Sequence, residues 1–314
     1  MMNIAVVGAG TIGISHIKAI EASGRCRLCA LCDVNEEKAK KLAEEYGVEY
    51  FNDYRQIPEK TDADAVILNL PHCLHCESTV FFLNSGIHVL VEKPMANTVA
   101  ECDKMLEAAK KNNRRLAVGH VQRFFEANRA VKEYIKSGAL GRLCMYTEFR
   151  TVDYFNPERP RWFLSKSAAG GGIVMNYGAH ALDKLMYVLG ERDISVEACM
   201  GNYKNDAEIE GHAQIFLKLN GVSAAITFSG YSPSGYDAIY YFTGGALKVA
   251  DSGSLSVNTD GTWQRLELDE DFSSAMSNQL EEFCKYVNGE AADIATGEYG
   301  RRVICTIEQI YKNL

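Results

Sequence analysis

Two segments of the chain carry side chains whose types suit proton transfer. The first is Glu92-Lys93-Pro94, and the second contains Asn176, His180 and Asp183. An imidazole titrates near neutrality and can accept a proton from a hydroxyl group. A lysine can stabilise the alkoxide that develops, and it can also shuttle the proton where burial or a nearby positive charge lowers its pKa. The residue types therefore predict that Lys93 and His180 are catalytic.

The spacing of the second segment predicts one face of a helix. A helix that begins near Ile173 brings Asn176, His180 and Asp183 to the same side. The glycines at 170–172 allow such a helix to begin close to a ligand. Because Asn176 can hydrogen-bond a hydroxyl group but can carry neither a proton nor a charge, we expect it to orient the substrate. A buried histidine of the core is the competing interpretation of His180.

A glycine-rich loop follows the first apolar run of the chain. Residues 3–7 predict a buried strand, and the loop begins directly after it. The first glycine permits a tight turn, the second lets a pyrophosphate approach the backbone, and the third opens a helix whose N-terminus offers N–H groups. A plain turn between strand and helix is the alternative. The residues predicted to bind a dinucleotide are Gly8, Gly10, Thr11, Ile12 and Gly13.

An acidic residue, Asp33, ends the second predicted strand. Its carboxylate can accept hydrogen bonds from the adenosine ribose hydroxyls, and it would repel a 2′-phosphate. Glu36 and Glu37 add negative charge just after it. NAD is thus the predicted cofactor, and NADP is less favoured. The competing interpretation of Asp33 is a helix cap, although Asn35 can serve equally well as that cap.

The composition argues against several classes of partner and location. The chain has 314 residues, ten cysteines, 47% hydrophobic residues and a net charge of −8 at pH 7. Two domains are expected at this length. We expect no nucleic acid, since no basic patch appears, and no membrane, since no apolar run is long enough to span one. Without an export signal, the cysteines are expected to be free thiols in a reducing cytoplasm.

The order of predicted elements divides the chain near residue 120. Residues 1–120 alternate strands and helices, which is typical of a doubly wound parallel sheet in an α/β fold. Its predicted strands are at 3–7, 28–32, 65–69, 87–91 and 116–118. Residues 121–314 contain mostly antiparallel strands, among them one at 194–203, and Asn220-Gly221 predicts a hairpin. Two helices at 274–289 and 299–313 close the chain, and the last is expected to return to the first domain.

Aromatic residues of the second predicted sheet allow two interpretations. They could cover an open sheet face in a homodimer or homotetramer, or they could fill the core of the domain. These residues are Phe216, Phe228, Tyr240, Tyr241 and Phe242.

A cluster of histidines and cysteines contains the residue types of a metal site. His72, Cys73, His75 and Cys76 have spacings that zinc ligands use. The segment is predicted to begin a helix, and no second ligand pair is evident in the sequence. We therefore predict no metal site, and a role for His75 in structure or at the edge of the cofactor.

The order and spacing of five motifs resemble the Gfo/Idh/MocA family, which is named for glucose–fructose oxidoreductase and inositol dehydrogenase. The motifs are Gly8-x-Gly10-x-x-Gly13, Pro71-x-x-x-His75, Gly86-x-His88-Val89-x-x-Glu92-Lys93-Pro94, Gly119-His120-x-x-Arg123, and Gly171-Gly172 through His180-x-x-Asp183. The resemblance implies a Rossmann domain, a C-terminal α+β domain with a large open sheet, a nicotinamide cofactor and sugar or polyol substrates. It implies that Lys93 and His180 are the catalytic pair. Pro71, His75, Glu92 and Lys93 are expected at the cofactor.

One departure from the family pattern affects the expected function. The family usually has Asp where this chain has Asn176. We expect a dehydrogenase or reductase that passes a hydride between nicotinamide C4 and a secondary alcohol or ketone of a sugar, cyclitol or sugar derivative. The departure leaves open a second interpretation, a non-catalytic NAD-binding sensor or regulator. A third interpretation is a reductase of an imine or tetrapyrrole.

Arginines and aromatic residues near the glycine run suit a polar ring, with or without an anionic group. Ordinary surface charge, with Trp162 packed in the core, is the equally weighted alternative. The predicted substrate-binding residues are Arg123, Tyr154, Arg161, Trp162, Asn176 and His180.

Overall fold

The computed structural model describes residues 1–190, 194–202, 207–250, 253–268 and 272–312. These residues form two compact units. The first contains the described residues of Met1–Val121 and Phe272–Arg301, and the second those of Gln122–Asp271 and Arg302–Leu314. The chain thus returns to the first unit near its end. The predicted division into residues 1–120 and 121–314 stays a prediction.

A six-stranded parallel sheet forms the centre of the first unit, in the order β3-β2-β1-β4-β5-β6. Its strands are β1 (Met2–Val7), β2 (Cys26–Cys32), β3 (Glu49–Phe51), β4 (Ala65–Leu68), β5 (His88–Glu92) and β6 (Leu116–Gly119). β1 and β4 are buried along their whole length, as expected for parallel strands that helices cover on both faces. The five predicted strands are confirmed. The three residues of β3 are too few to show a hydrophobic period.

Helices connect and flank these strands. They are α1 (Thr11–Glu21), α2 (Glu36–Tyr46), α3 (Ile57–Lys60), α4 (His72–Asn84) and α5 (Val99–Lys111). The predicted closing helices are α9 (Phe272–Val287) and α10 (Gly297–Lys312), and residue 313 lies outside the described part of the chain. Among the described residues, no helix combines the length and the apolar character that crossing a membrane requires.

The second unit contains an eight-stranded sheet in the order β14-β13-β12-β11-β7-β10-β9-β8. Its strands are β7 (Leu143–Asp153), β8 (Ile194–Gly201), β9 (His212–Leu219), β10 (Val222–Ser229), β11 (Tyr231–Phe242), β12 (Gly245–Ala250), β13 (Ser254–Asn258) and β14 (Gln264–Leu266). β7 and β10 run parallel, and the other neighbours are antiparallel. The predicted strand 194–203 corresponds to β8, although residue 203 lies outside the described residues.

The register of this sheet divides its aromatic side chains between two faces. Asn220 and Gly221 have φ angles of +49° and +83° and join β9 to β10, which confirms the predicted hairpin. The core contains Phe228, Tyr240 and Phe242, whereas Phe216 is 55% exposed. The core interpretation therefore applies to Phe228, Tyr240 and Phe242, and the homodimer or homotetramer stays a prediction.

Helical segments complete the second unit. They are α6 (Glu126–Ser137), α7 (Lys166–Ala169) and α8 (Ala179–Leu189), with a π-helical segment at Val174–Gly178. The sequence predicted a helix that begins near Ile173, and helical residues follow from there. The segment begins with the wider π-helical spacing, a local feature that is frequent at functional sites.

Candidate active site

The glycine loop after β1 has the backbone geometry that a dinucleotide site requires. Gly8 has a φ of +94°, and a Cβ atom built on it would lie 2.4 Å from the Asn69 carbonyl oxygen. A Cβ on Gly13 would lie 2.0 Å from the Gly8 carbonyl oxygen. At Gly10, by contrast, nothing described lies within 4 Å of such an atom. The first and third glycines thus serve the fold, and the second leaves room for a ligand.

The side chain of Asp33 is held against this loop. Its Oδ2 accepts a hydrogen bond from the Ala9 N–H at 2.6 Å, and its Oδ1 accepts one from the Asn35 N–H at 2.8 Å. Asn35 is the cap of α2, since its Oδ1 accepts from the Lys38 N–H at 3.2 Å. The helix-cap interpretation therefore belongs to Asn35. Asp33 is only half-buried, and each carboxylate oxygen keeps a lone pair for a ribose hydroxyl.

These observations fit a bound dinucleotide. α1 begins at Thr11 after Gly10, and Gly10 supplies no side-chain hydrogen bond to the first turn. The N–H groups of that turn can therefore be satisfied by a phosphate. The predicted cofactor residues from Gly8 to Gly13 thus lie on the loop after β1 and in the first turn of α1, with Asp33 beside the loop.

A buried carboxylate, Glu92, ends β5 and adjoins Lys93. Its Oε1 is 3.0 Å from His16 Nε2, and its Oε2 accepts from the Lys93 N–H at 3.2 Å. Burial acts to raise the pKa of Glu92, but the hydrogen bond from His16 and the charges of His16 and Lys93 lower it overall. A Cβ on Gly119 would lie 2.7 Å from Glu92 Oε1, so the glycine at the end of β6 makes room for this carboxylate.

The backbone that follows Lys93 is in contact with the ring of His75. The ring nitrogens of His75 lie 2.8 Å from the Pro94 carbonyl oxygen and 2.8 Å from the Leu70 carbonyl oxygen. Burial lowers the pKa of His75, so the neutral ring is favoured. Pro71 begins the turn into α4, and the Lys93-Pro94 peptide bond is cis. His75 thus holds the backbone around Lys93.

The cysteines near His75 are arranged differently from a metal site. Cys73 is exposed and Cys76 is half-buried, and the Cys76 thiol lies 3.6 Å from the Glu101 carbonyl oxygen. Among the described residues, no three His, Cys, Asp or Glu side chains are grouped as metal ligands would be. His120, at the end of β6, is buried with its ring edge-on to Tyr299.

In the second unit, a carboxylate that the sequence analysis missed anchors the start of the π-helical segment. Glu210 accepts hydrogen bonds from the Gly172 and Val174 N–H groups at 2.9 Å and from the Tyr311 hydroxyl at 2.7 Å. A Cβ on Gly172 would lie 2.1 Å from the Glu210 carbonyl oxygen, and one on Gly171 would lie 2.0 Å from the Tyr311 hydroxyl oxygen. The two glycines are therefore required by Glu210 and Tyr311.

The residues that follow differ in their surroundings. Asn176 is buried in the π-helical segment, and His180 is half-buried in the first turn of α8. Asp183 is fully buried, and its Oδ1 lies 2.5 Å from Arg123 Nη2. The Arg123 guanidinium also lies 5.2 Å from the centre of the Tyr187 ring. The structure thus places Arg123, a predicted substrate ligand, in a buried ion pair that holds α8.

The aromatic residues predicted at the substrate lie before the glycine run. Tyr154 is fully buried, with the Arg159 guanidinium 4.3 Å from its ring centre and the Tyr177 ring 6.2 Å away. Trp162 is half-buried and stacks on Phe163 at 3.7 Å between ring centres. Arg161 is exposed. The structure thus brings Tyr154 to the vicinity of Asn176 through Tyr177.

A buried charged cluster lies next to these residues. Lys184, on α8, donates to Glu148 Oε1 at 2.9 Å and to the Tyr236 hydroxyl at 2.7 Å. The Tyr146 hydroxyl donates to the other oxygen of Glu148. Burial lowers the pKa of Lys184 to about 8, with Glu148 opposing the effect and Arg150 adding to it. The sequence analysis missed this cluster, although the alternation of Tyr146, Glu148 and Arg150 places all three on one face of β7.

Comparison with known proteins establishes the family. Residues 2–120 match the model described as the oxidoreductase family with an NAD-binding Rossmann fold, and residues 128–248 match the GFO/IDH/MocA C-terminal domain. The chain therefore belongs to the Gfo/Idh/MocA oxidoreductase family, and the resemblance seen in its motifs is confirmed. The fold class, the enzyme class and NAD as cofactor are confirmed with it. Membership supports a catalyst over a non-catalytic sensor.

Individual relatives show how far the similarity extends. A 1-carboxy-3-chloro-3,4-dihydroxycyclohexa-1,5-diene dehydrogenase of Comamonas testosteroni is 29% identical over 76% of this chain and 60% of that protein. A myo-inositol 2-dehydrogenase of Thermotoga maritima is 28% identical over 85% of this chain and 72% of that protein. The crystal structure of an aldose-aldose oxidoreductase from Caulobacter crescentus, complexed with glycerol, superposes with a TM-score of 0.89 at 25% identity, covering 99% of this chain and 97% of that one.

Proposed function

We propose that this protein interconverts a secondary alcohol and a ketone on a sugar, a cyclitol or a sugar derivative, with NAD as the cofactor. The observation that carries the proposal is the loop after β1, where Gly10 is open and Asp33 is tied to the Ala9 N–H at 2.6 Å. The relatives named for inositol and aldose chemistry support this substrate class. When bound, NAD supplies the hydride acceptor or donor at nicotinamide C4.

The residues from Gly8 to Gly13 would hold the pyrophosphate of NAD, and Asp33 would accept hydrogen bonds from the ribose hydroxyls. His75 and Glu92 act on the same site through the backbone. His75 contacts the Pro94 carbonyl at 2.8 Å, and Glu92 accepts the Lys93 N–H at 3.2 Å. We assign them as positioning residues for Lys93, with Pro71 at the border of the cofactor.

His180 accepts the hydroxyl proton of the alcohol, and Lys93 stabilises the developing alkoxide or shuttles the proton. Asn176 hydrogen-bonds a substrate hydroxyl and orients the ring. Tyr154, Arg161 and Trp162 contribute to binding of the ring.

The test compares turnover with cofactor binding in Lys93→Ala and His180→Ala. NADH formation is followed by fluorescence across cyclitols, aldoses, uronates and nucleotide sugars, with NAD and with NADP. We expect each variant to lose about 10²–10⁴-fold in kcat while it keeps its affinity for NADH. Wild-type protein that binds NADH but turns over none of these compounds would contradict the proposal and favour a sensor. Turnover of imines alone would favour the interpretation of the protein as an imine reductase.

We also propose that the protein forms a homodimer or homotetramer through the outer face of the second sheet. Met145 and Phe149 on β7 are 42% and 48% exposed, and Phe216 on β9 is exposed on the same face. Apolar side chains grouped in this way usually mark a contact surface. Light scattering should show a smaller species for Phe149→Lys and no change for Val34→Lys, a matched substitution at an exposed site of the first unit. A monomeric wild type would refute the proposal. A cytoplasmic location remains a proposal as well.

A further inference from the structure

Arg150 belongs to a cluster in which positive charge exceeds negative charge. Its Nε lies 3.8 Å from Glu148 Oε1, which is too far for a hydrogen bond. Glu148 already accepts hydrogen bonds from Lys184 at 2.9 Å and from Tyr146. Within the described part of the chain, the ion pairs of this cluster join two cations to one carboxylate. One positive charge is therefore not balanced by these pairs.

The Arg150 side chain is the most exposed of the three charged side chains in this cluster. It is 18% exposed, whereas Glu148 is fully buried and Lys184 is 1% exposed. In the part of the chain that the structure describes, the buried Nε of Arg150 has no hydrogen-bond acceptor. The guanidinium lies 4.3 Å from the centre of the Tyr236 ring and 5.2 Å from that of Tyr177. Stacking on two aromatic rings restrains the guanidinium before any ligand arrives.

The position of Arg150 relates it to the residues of the proposed site in the second unit. Tyr177 directly follows Asn176 in the π-helical segment, and Lys184 lies one helical turn after His180 on α8. Arg150 contacts the π-helical segment through Tyr177. It is connected to α8 through Tyr236, whose hydroxyl accepts a hydrogen bond from Lys184 at 2.7 Å. A group bound at Arg150 would therefore lie beside the residues assigned to orient and deprotonate the substrate.

The chemistry of this surplus charge favours one kind of ligand. A partly buried cation without a full counter-charge is costly, and an incoming anion lowers that cost. A guanidinium is planar and pairs with a carboxylate through two parallel hydrogen bonds. The surplus is one charge, which matches a carboxylate better than a phosphate group that carries close to two. Burial and the charge of Arg150 lower the pKa of Lys184, which is consistent with excess positive charge here.

We propose that Arg150 is a specificity-determining residue that binds a carboxylate on the substrate, so that the preferred substrate is a hydroxylated ring acid of the sugar-acid type. This inference rests on the proposed function and narrows its substrate class.

The test uses matched probes that differ in the acid group: D-glucuronate against D-glucose, and D-galacturonate against D-galactose. The ratio of kcat/KM for the acid to that for the neutral sugar is measured with NAD. We expect the acids to be preferred in the wild type and the ratio to fall about 10–100-fold in Arg150→Met, as for a lost charge-assisted hydrogen bond. Arg150→Lys should recover part of the ratio. Arg142→Met, an exposed arginine just before β7, should leave the ratio as it is in the wild type.

A binding measurement separates this inference from the proposed function. The thermal stabilisation by D-glucuronate and by D-galacturonate is measured with and without NADH, for the wild type and both Arg150 variants. The carboxylate site is supported if an acid stabilises the wild type, this stabilisation is lost in Arg150→Met, and part of it remains in Arg150→Lys. This holds even if no sugar is turned over. Turnover of neutral sugars with an unchanged ratio in Arg150→Met overturns the inference and leaves the proposed function standing. If no acid is turned over and no acid stabilises the protein, the inference is also overturned.

Discussion

The buried ion pair between Lys184 and Glu148 gives a prediction whose size follows from its surroundings. The Lys184 Nζ is 2.9 Å from Glu148 Oε1, and the two side chains are 1% and 0% exposed. Lys184→Met removes a charge-assisted hydrogen bond but leaves Glu148 with Arg150, whose Nε is 3.8 Å away, as its counter-charge. The loss of a hydrogen bond to a charged group costs about 1.5–3 kcal/mol. We therefore expect Lys184→Met to lower the free energy of unfolding by that amount, and the melting temperature to fall by roughly 3–10 °C.

A double variant distinguishes the pair from the loss of either side chain. Lys184→Met combined with Glu148→Leu removes both charges and replaces them with apolar volume. Glu148→Leu alone leaves the charges of Lys184 and Arg150 without their carboxylate, whereas the double variant leaves only that of Arg150. We therefore expect the double variant to be more stable than Glu148→Leu alone. Urea unfolding followed by fluorescence and by circular dichroism measures all three variants. A single variant within about 0.5 kcal/mol of the wild type would show that the two charges are not buried as described.

The pH dependence of stability provides a second readout of Lys184. Burial lowers its pKa from 10.5 to about 8. Below about pH 8 both the folded and the unfolded state hold the proton, so the cost of burying the ammonium is fully present. Between about pH 8 and 10.5 the folded state releases the proton first, and its stability should rise by up to roughly 3 kcal/mol, at about 1.4 kcal/mol per pH unit. The Lys184→Met variant should lack this rise, and parallel profiles would refute the assigned pKa.

Three further substitutions test contacts that lie within one unit or the other. Glu210→Gln should lower kcat and reduce the free energy of unfolding by about 2–3 kcal/mol, because charge-assisted hydrogen bonds to the π-helical segment weaken. Steady-state kinetics and urea unfolding measure the two effects. An unchanged kcat would contradict the anchoring role. Gly8→Ala should reduce NADH affinity at least about tenfold, because a Cβ there would meet the Asn69 carbonyl at 2.4 Å with φ at +94°; equal affinity in a fluorescence titration would refute this. Gly119→Ala should displace the Glu92 carboxylate and lower kcat more than NADH affinity, and a loss confined to affinity would be inconsistent with a positioning role.

Local sequence patterns were sufficient for the elements that have a strong period. The apolar strand β1 and the glycines after it predicted the dinucleotide loop, because a parallel strand buried on both faces has a continuous apolar run. The alternation along β9 and the Asn220-Gly221 pair predicted a hairpin. The helix predicted from near Ile173 is present, but the sequence did not indicate its π-helical beginning, because a π-helical segment has no residue signature of its own.

The residues that hold the candidate site in place were mostly missed. Glu210 lies far along the chain from the Gly172 and Val174 N–H groups that it anchors. Asn69 shapes the glycine loop with its backbone carbonyl, which the type of its side chain does not reveal. The motif around Arg123 predicts a substrate ligand, and only the contact with Asp183 at 2.5 Å reveals its buried ion pair.

The amino-acid sequence alone determined the class of fold, the family, the cofactor and the residue types available for proton transfer. These depend on short motifs and on local periodicity, which are properties of neighbouring residues. The tertiary structure decided which charges are paired, which glycines make room for which side chains, and that Arg150 and Lys184 share the carboxylate of Glu148. Such properties depend on distances between residues that are remote in sequence, and folding alone sets those distances.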